Sequence, residues 1–194
     1  MKRMSFVGLI LALSFLMVLP GVVYAQGGKR VAASLKAGVM QRIGADTDVT
    51  LTYSRPGVKG RKIWGGLVPY GMNPADKYSK GKPYPWRAGA NENTTIEFSK
   101  DVLIEGNKLP AGKYGIHMIP SEKDWVVIFS KNNSAWGSFT YDQAQDALRV
   151  TVTPVKAPFT EWLTFGFDNL AGTSAVAYLQ WAELRVPFKI QVAE

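Results

Sequence analysis

Cysteine is absent from the 194 residues, and histidine occurs once, at position 117. Without cysteine there is no disulfide, no thiolate nucleophile, no cysteine-ligated metal and no lipid-modified cysteine anchor. One imidazole cannot build a closed zinc site. Asp46 and Asp48 form an Asp-Thr-Asp pair, but the glycine and terminal glutamate of a calcium loop are missing, so a turn ahead of a strand is the better account. No metal and no cofactor is expected. The Gly-x-Ser-x-Gly elbow of hydrolases is also missing. Low-complexity tracts and internal repeats are absent, which excludes solenoids and disordered linkers.

Long apolar runs are confined to the start of the chain. Lys2 and Arg3 precede a charge-free stretch from Phe6 to Val23, and Val23-Tyr24-Ala25 places small residues at −3 and −1 before Gln26. This is the pattern of a signal peptide over residues 1–25, removed on export. The 18 residues of that stretch could just span a bilayer as an uncleaved anchor; Pro20-Gly21 and the cleavage triplet favour removal. Residues 26–194 then read as one domain, large enough for a core without staples. The expected location is periplasmic or extracellular, with no transmembrane span after cleavage.

Negative charge is scarce in one region. Setting Lys2 and Arg3 aside leaves 21 basic and 15 acidic residues, a net of +6. Between Arg55 and Arg87 lie eight basic residues (Arg55, Lys59, Arg61, Lys62, Lys77, Lys80, Lys82, Arg87) and a single acid, Asp76. The same stretch holds Trp64, Tyr70, Tyr78, Tyr84 and Trp86. A basic, aromatic connection over residues 55–93 suits a solvated loop, a surface for an anionic or sugar-like ligand, or nucleic acid. Export and the lack of a nucleic-acid fold signature argue against the last.

Period-2 alternation dominates after Gly38. Predicted strands are Val39–Ile43, Val49–Tyr53, Thr94–Phe98, Val102–Ile104, Tyr114–Ile119, Trp125–Phe129, Leu148–Thr153, Glu161–Asp168, Ala175–Trp181 and Val186–Val192. Turn residues such as Glu105-Gly106-Asn107 and Asp168-Asn169 separate them. The predicted fold is all-β: an antiparallel β-sandwich of about ten strands. Short helices are expected near Lys59–Trp64, Tyr141–Ala147 and Val31–Lys36. The strands at Tyr114 and Trp125 are apolar on both faces, which reads as central.

Two residues invite a catalytic reading. His117 sits in an apolar strand with no Asp or Glu within three positions, the pattern of a structural histidine. Glu92, carried back along the strand from Ile96 and Phe98, falls on the core side together with Thr94. A carboxylate there needs a cation or several donors, and Arg87, Arg55 and Arg61 are the candidates. Glu97 faces away and is expected in solvent.

The motifs Tyr53-Ser54-Arg55-Pro56, Ile63-Trp64-Gly65-Gly66-Leu67-Val68-Pro69-Tyr70-Gly71 and Trp86-Arg87-Ala88-Gly89-Ala90-Asn91-Glu92 carry a resemblance. So do Leu109-Pro110-Ala111-Gly112-Lys113-Tyr114, Trp136-Gly137 and Val186-Pro187-Phe188. Together they resemble the Bacteroidetes-type exported bacterial domains of domain-of-unknown-function family 2911. The resemblance covers nearly all of residues 26–194. It implies an exported β-rich domain and brings no established activity. In sequences of that type Val-Pro-Tyr-Gly leads into Trp-Arg after a residue or two, whereas here Met72 to Pro85 intervene. This basic-aromatic tongue is a departure from the family pattern.

The leading expectation is a non-enzymatic domain binding a glycan or anionic envelope ligand through Arg55, Arg61, Trp64, Tyr70, Trp86, Arg87, Asn91 and Glu92. It requires those residues to line one concave surface. A purely structural loop, the second expectation, requires the arginines and Glu92 to pair with each other and leave no cleft. A hydrolase using Glu92 or His117 with a later-strand carboxylate, the third, requires a convergent pair in a pocket.

Overall fold

The structure, a computed structural model, describes residues 32–193. Two antiparallel sheets face each other as a β-sandwich. The first runs in the order β1 (Leu35–Ile43), β2 (Thr47–Arg55), β3 (Thr94–Phe98), β6 (Gly112–Ile119), β7 (Trp125–Ser130), β8 (Asp146–Val152). The second runs β5 (Asn107–Leu109), β4 (Val102–Ile104), β10 (Ser174–Val192), β9 (Val155–Ala171). The targeting segment expected over residues 1–25 lies outside the described residues. Among the described residues no helix is long and apolar enough to cross a membrane.

Alternation decides which side chains meet between the sheets. Ile96 and Phe98 of β3, Ile116 and Met118 of β6, and Val127 and Phe129 of β7 face Leu163 and Phe165 of β9 and Leu179, Trp181 and Phe188 of β10. Burying each of the larger side chains is worth about 1.5–3 kcal/mol. As their two apolar faces require, β6 and β7 are central. Their inner face enters the core, while His117 and its register partner Ile128 point outward and are buried too. The segment after β7 covers them: Ser138 and Tyr141 sit against His117, and Asn133 Nδ2 donates to the Lys113 carbonyl at 2.8 Å.

Three helices were expected, and among the described residues no α-helix forms. Around Lys59–Trp64 the chain makes turns, at Leu35 and Lys36 it is already β1, and only a 3₁₀ turn at Gln143–Gln145 stands near Tyr141. Gly60 and Gly65 at positive φ fold the first of these stretches back on itself before a helix can propagate. One short strand, β5, was unforeseen. It follows β4 through Glu105-Gly106, both at positive φ, the two-residue turn whose twist matches a hairpin.

Candidate cleft at the edge of the sandwich

After β2 the chain crosses to the second sheet. The Val58 N–H donates to the Glu161 carbonyl at 2.9 Å and the Leu163 N–H to the Pro56 carbonyl at 3.0 Å. Arg55 completes the crossing, donating from Nε to the Leu163 carbonyl at 2.9 Å and from Nη2 to Thr164 Oγ1 at 3.0 Å. Its guanidinium therefore stitches β2 to β9. Lys59 and Gly60, both at positive φ, then reverse the chain. Arg61 folds back to give the Gly57 carbonyl a 2.6 Å bond and the Val58 carbonyl a 3.1 Å bond.

Residues 62–68 form a compact loop that delivers the Trp64 indole to a cluster of four tryptophans. Trp64 meets Trp86, Trp125 and Trp181 edge-on, with ring centroids at 5.6, 4.9 and 5.8 Å. Trp86 and Trp181 stack at 6.1 Å with 13° between planes. Trp86 is fixed by two backbone bonds to Met118, of 2.9 and 2.8 Å. They place it beside β6, in the slot past the end of β3.

The tongue from Met72 to Pro85 closes on itself through paired backbone bonds between Asn73 and Tyr84. Asp76 organises its interior, accepting from the Tyr78 and Ser79 N–H groups and from the Tyr84 hydroxyl. Partial desolvation pulls its carboxyl up, but these hydrogen bonds outweigh that and hold it below its ordinary value. Phe139 anchors the tongue from the other side, with Tyr78 at 5.4 Å, Tyr84 at 5.2 Å and the Arg87 guanidinium at 4.7 Å from its ring.

The Trp-Arg run is a pinned turn. Ala88 and Asn91 both adopt positive φ, an uncommon conformation for residues other than glycine. Thr94 Oγ1 holds the Ala88 carbonyl at 3.0 Å, and a Cβ on Gly89 would lie 2.8 Å from that same hydroxyl. Asn91 donates to the Ser34 carbonyl at 3.2 Å, and Arg87 Nη1 donates to the Asn91 carbonyl at 2.8 Å. Glu92 is exposed rather than core-facing as expected. Glu92 sits in the bend that precedes β3, which begins at Thr94, so the strand's in-and-out pattern cannot be carried back to it. Glu97 is exposed as predicted.

These segments enclose a cleft of about 420 Å³. Trp86 and Trp181 line it together with Tyr84, Leu67 and Val68; Lys59, Arg61 and Arg87 bring three cations, and no acid among the described residues lines it. Arg87 has no carboxylate within ion-pair distance among the described residues, and burial holds its guanidinium below the ordinary value, against a smaller pull from Tyr84 and Asp76. Of the eight residues singled out from sequence, Arg61, Trp86, Arg87 and Asn91 line the cleft. Arg55, Trp64, Tyr70 and Glu92 do not. Arg55 is spent on β9, Trp64 lies in the tryptophan cluster, and the Tyr70 ring rests on Gly65. Sequence reasoning did not pick out Lys59, Tyr84 or Trp181 for this site. The first two belong to the basic-aromatic stretch already noted; Trp181, on β10, carries no local signal.

The catalytic alternatives find no carboxylate partner among the described residues. His117 is 2% exposed and its Nδ1 lies 2.7 Å from Ser138 Oγ. Desolvation, helped by the Arg87 charge, pushes its pKa down to about 4. Neither His117 nor Glu92 hydrogen-bonds or ion-pairs to a carboxylate among the described residues. Asp46 and Asp48 are held by Lys100 and Arg42. Glu161 Oε1 accepts from the Lys59 N–H, and Asp168 pairs with Arg185.

A family model described as a protein of unknown function (DUF2911) matches residues 34–190. No curated protein and no solved structure matches the chain.

Proposed function

The chain belongs to the DUF2911 family of proteins of unknown function, and we propose that it is an exported, non-catalytic binding domain for an anionic, carbohydrate-like ligand of the cell envelope. The observation that carries this reading is the charge of the cleft: three cations and, among the described residues, no acid. Burying a guanidinium without a carboxylate is costly, and an incoming anion would relieve that cost at Arg87. Arginine suits such a ligand because its fork matches carboxylate or phosphate oxygens, while indole faces supply apolar area to a ring. Export rests on the basic, then apolar, then small-residue order of residues 1–25.

The test is a titration of the chain with acidic and neutral oligosaccharides, repeated with Arg87→Gln. Loss of one charge-assisted contact is worth about 1.5–3 kcal/mol, so affinity for the acidic ligand should fall about 10- to 100-fold while the melting temperature stays near that of the parent. Added salt should weaken binding. Failure of every acidic ligand to bind, or equal binding by the Arg87→Gln variant, would sink the reading.

A purely architectural role for part of the motif has its own support, because Arg55 and Arg61 donate to backbone carbonyls. Arg55→Ala should accordingly lower unfolding stability by about 1–3 kcal/mol and leave ligand affinity unchanged. A stability equal to the parent in urea titration would remove the stitching role.

A further inference from the structure

Trp162 lies on β9 immediately outside the cleft and is 43% exposed, an unusual amount for an indole held in a strand. It is tied to the cleft by two residues that line it. Gly57 pairs with Trp162 in an isolated bridge, and a Cβ on Gly57 would lie 3.1 Å from the indole ring. A side chain at that position would press on the ring, so the indole is backed by bare main chain. Lys59 places its ammonium 5.8 Å from the ring centroid, within cation–π range. The neighbouring acid is already engaged, since Glu161 Oε1 accepts from the Lys59 N–H at 2.9 Å.

We propose that Trp162 and Lys59 form a second subsite next to the cleft, so that the ligand is an acidic oligosaccharide rather than a single acidic sugar. The inference rests on the reading of the cleft given above. One acidic ring occupies the cleft, with its acid group toward Arg61 and Arg87. The next ring lies against the Trp162 indole, and Lys59, a long exposed cation, turns from that ring to the second acid group. A fixed, partly exposed aromatic plate beside a cationic wall matches the repeat of such a polymer, which alternates CH-rich ring faces with carboxylates.

The experiment compares galacturonic acid with its linear tetramer by calorimetric titration of the chain, of Trp162→Ala, of Trp162→Phe and of Trp136→Ala. Trp136 is the control, an indole 62% exposed on the segment between β7 and β8 and not part of the cleft lining. The tetramer should bind the parent about tenfold more tightly than the monomer. Trp162→Ala should remove most of that gain, a loss of about two- to tenfold as expected for one aromatic contact, and leave the monomer unaffected. Trp162→Phe should restore most of it, and Trp136→Ala should behave as the parent. A tetramer no tighter than the monomer, or a Trp162→Ala variant equal to the parent on the tetramer, overturns the subsite while leaving the cleft intact. If neither acid binds, the reading of the cleft falls and takes the subsite with it.

Discussion

Gly137 adopts positive φ, and a Cβ there would run into the Arg87 guanidinium. Arg87 thus lies on bare backbone on one side and near the Phe139 ring on another. Gly137→Ala combines a left-handed alanine, which costs about 1–2 kcal/mol, with a forced displacement of the cation. The expected result is a lower melting temperature together with lost affinity for the acidic ligand; an unchanged melting temperature would mean that the guanidinium has room to move. His117 is a second residue whose burial has a measurable consequence. Its folded pKa of about 4 lies below the ordinary 6.5, because burial and the Arg87 charge oppose protonation. Between those two values the unfolded chain binds a proton that the folded chain refuses. Stability from this group is complete above pH 6.5 and is lost as pH falls toward 4, by about 3 kcal/mol in all. Urea titrations at pH 7 and pH 4 should therefore show a smaller acid loss in His117→Asn than in the parent. Equal losses would place the acid sensitivity in the carboxylates instead.

Among the elements, the tongue depends on one side chain. Asp76 accepts from two N–H groups and from the Tyr84 hydroxyl, so Asp76→Ala leaves those donors to water and frees Lys77, Lys80 and Lys82. Limited trypsin digestion should cut the variant within the tongue much faster than the parent, with the sandwich core intact; equal rates would show that the Phe139 contacts alone hold it. The strands show how much local signal can carry. β3 and β4 match their expected bounds because alternation ends at turn residues on both sides. β10 was read as two strands, Ala175–Trp181 and Val186–Val192, with a break over residues 182–185. In fact it continues through that break, where positive φ at Ala182 and two register shifts against β9 bulge the strand without ending it. The cleft was half legible for a related reason. Its cations come from one stretch of sequence, but Trp181 reaches it through a strand nearly a hundred residues further on, and nothing near Trp181 announces that meeting.

At the scale of the molecule, the connections that matter are distant in sequence. β4 pairs with β10, and β2 runs on to meet β9. Sandwiches built on such pairings fold in about milliseconds to seconds, and stopped-flow refolding should fall in that range; a microsecond phase carrying the full amplitude would contradict it. The stacked pair Trp86 and Trp181 both lines the cleft and belongs to the tryptophan cluster. Indoles this close share their electronic transitions, so their combined circular dichroism depends on the angle between the ring planes. An anion settling beside them would change the field on one chromophore of a coupled set. The protein therefore carries an unlabelled optical gauge at the place where occupancy matters, and a change in its aromatic dichroism would report binding before any ligand had been identified by name.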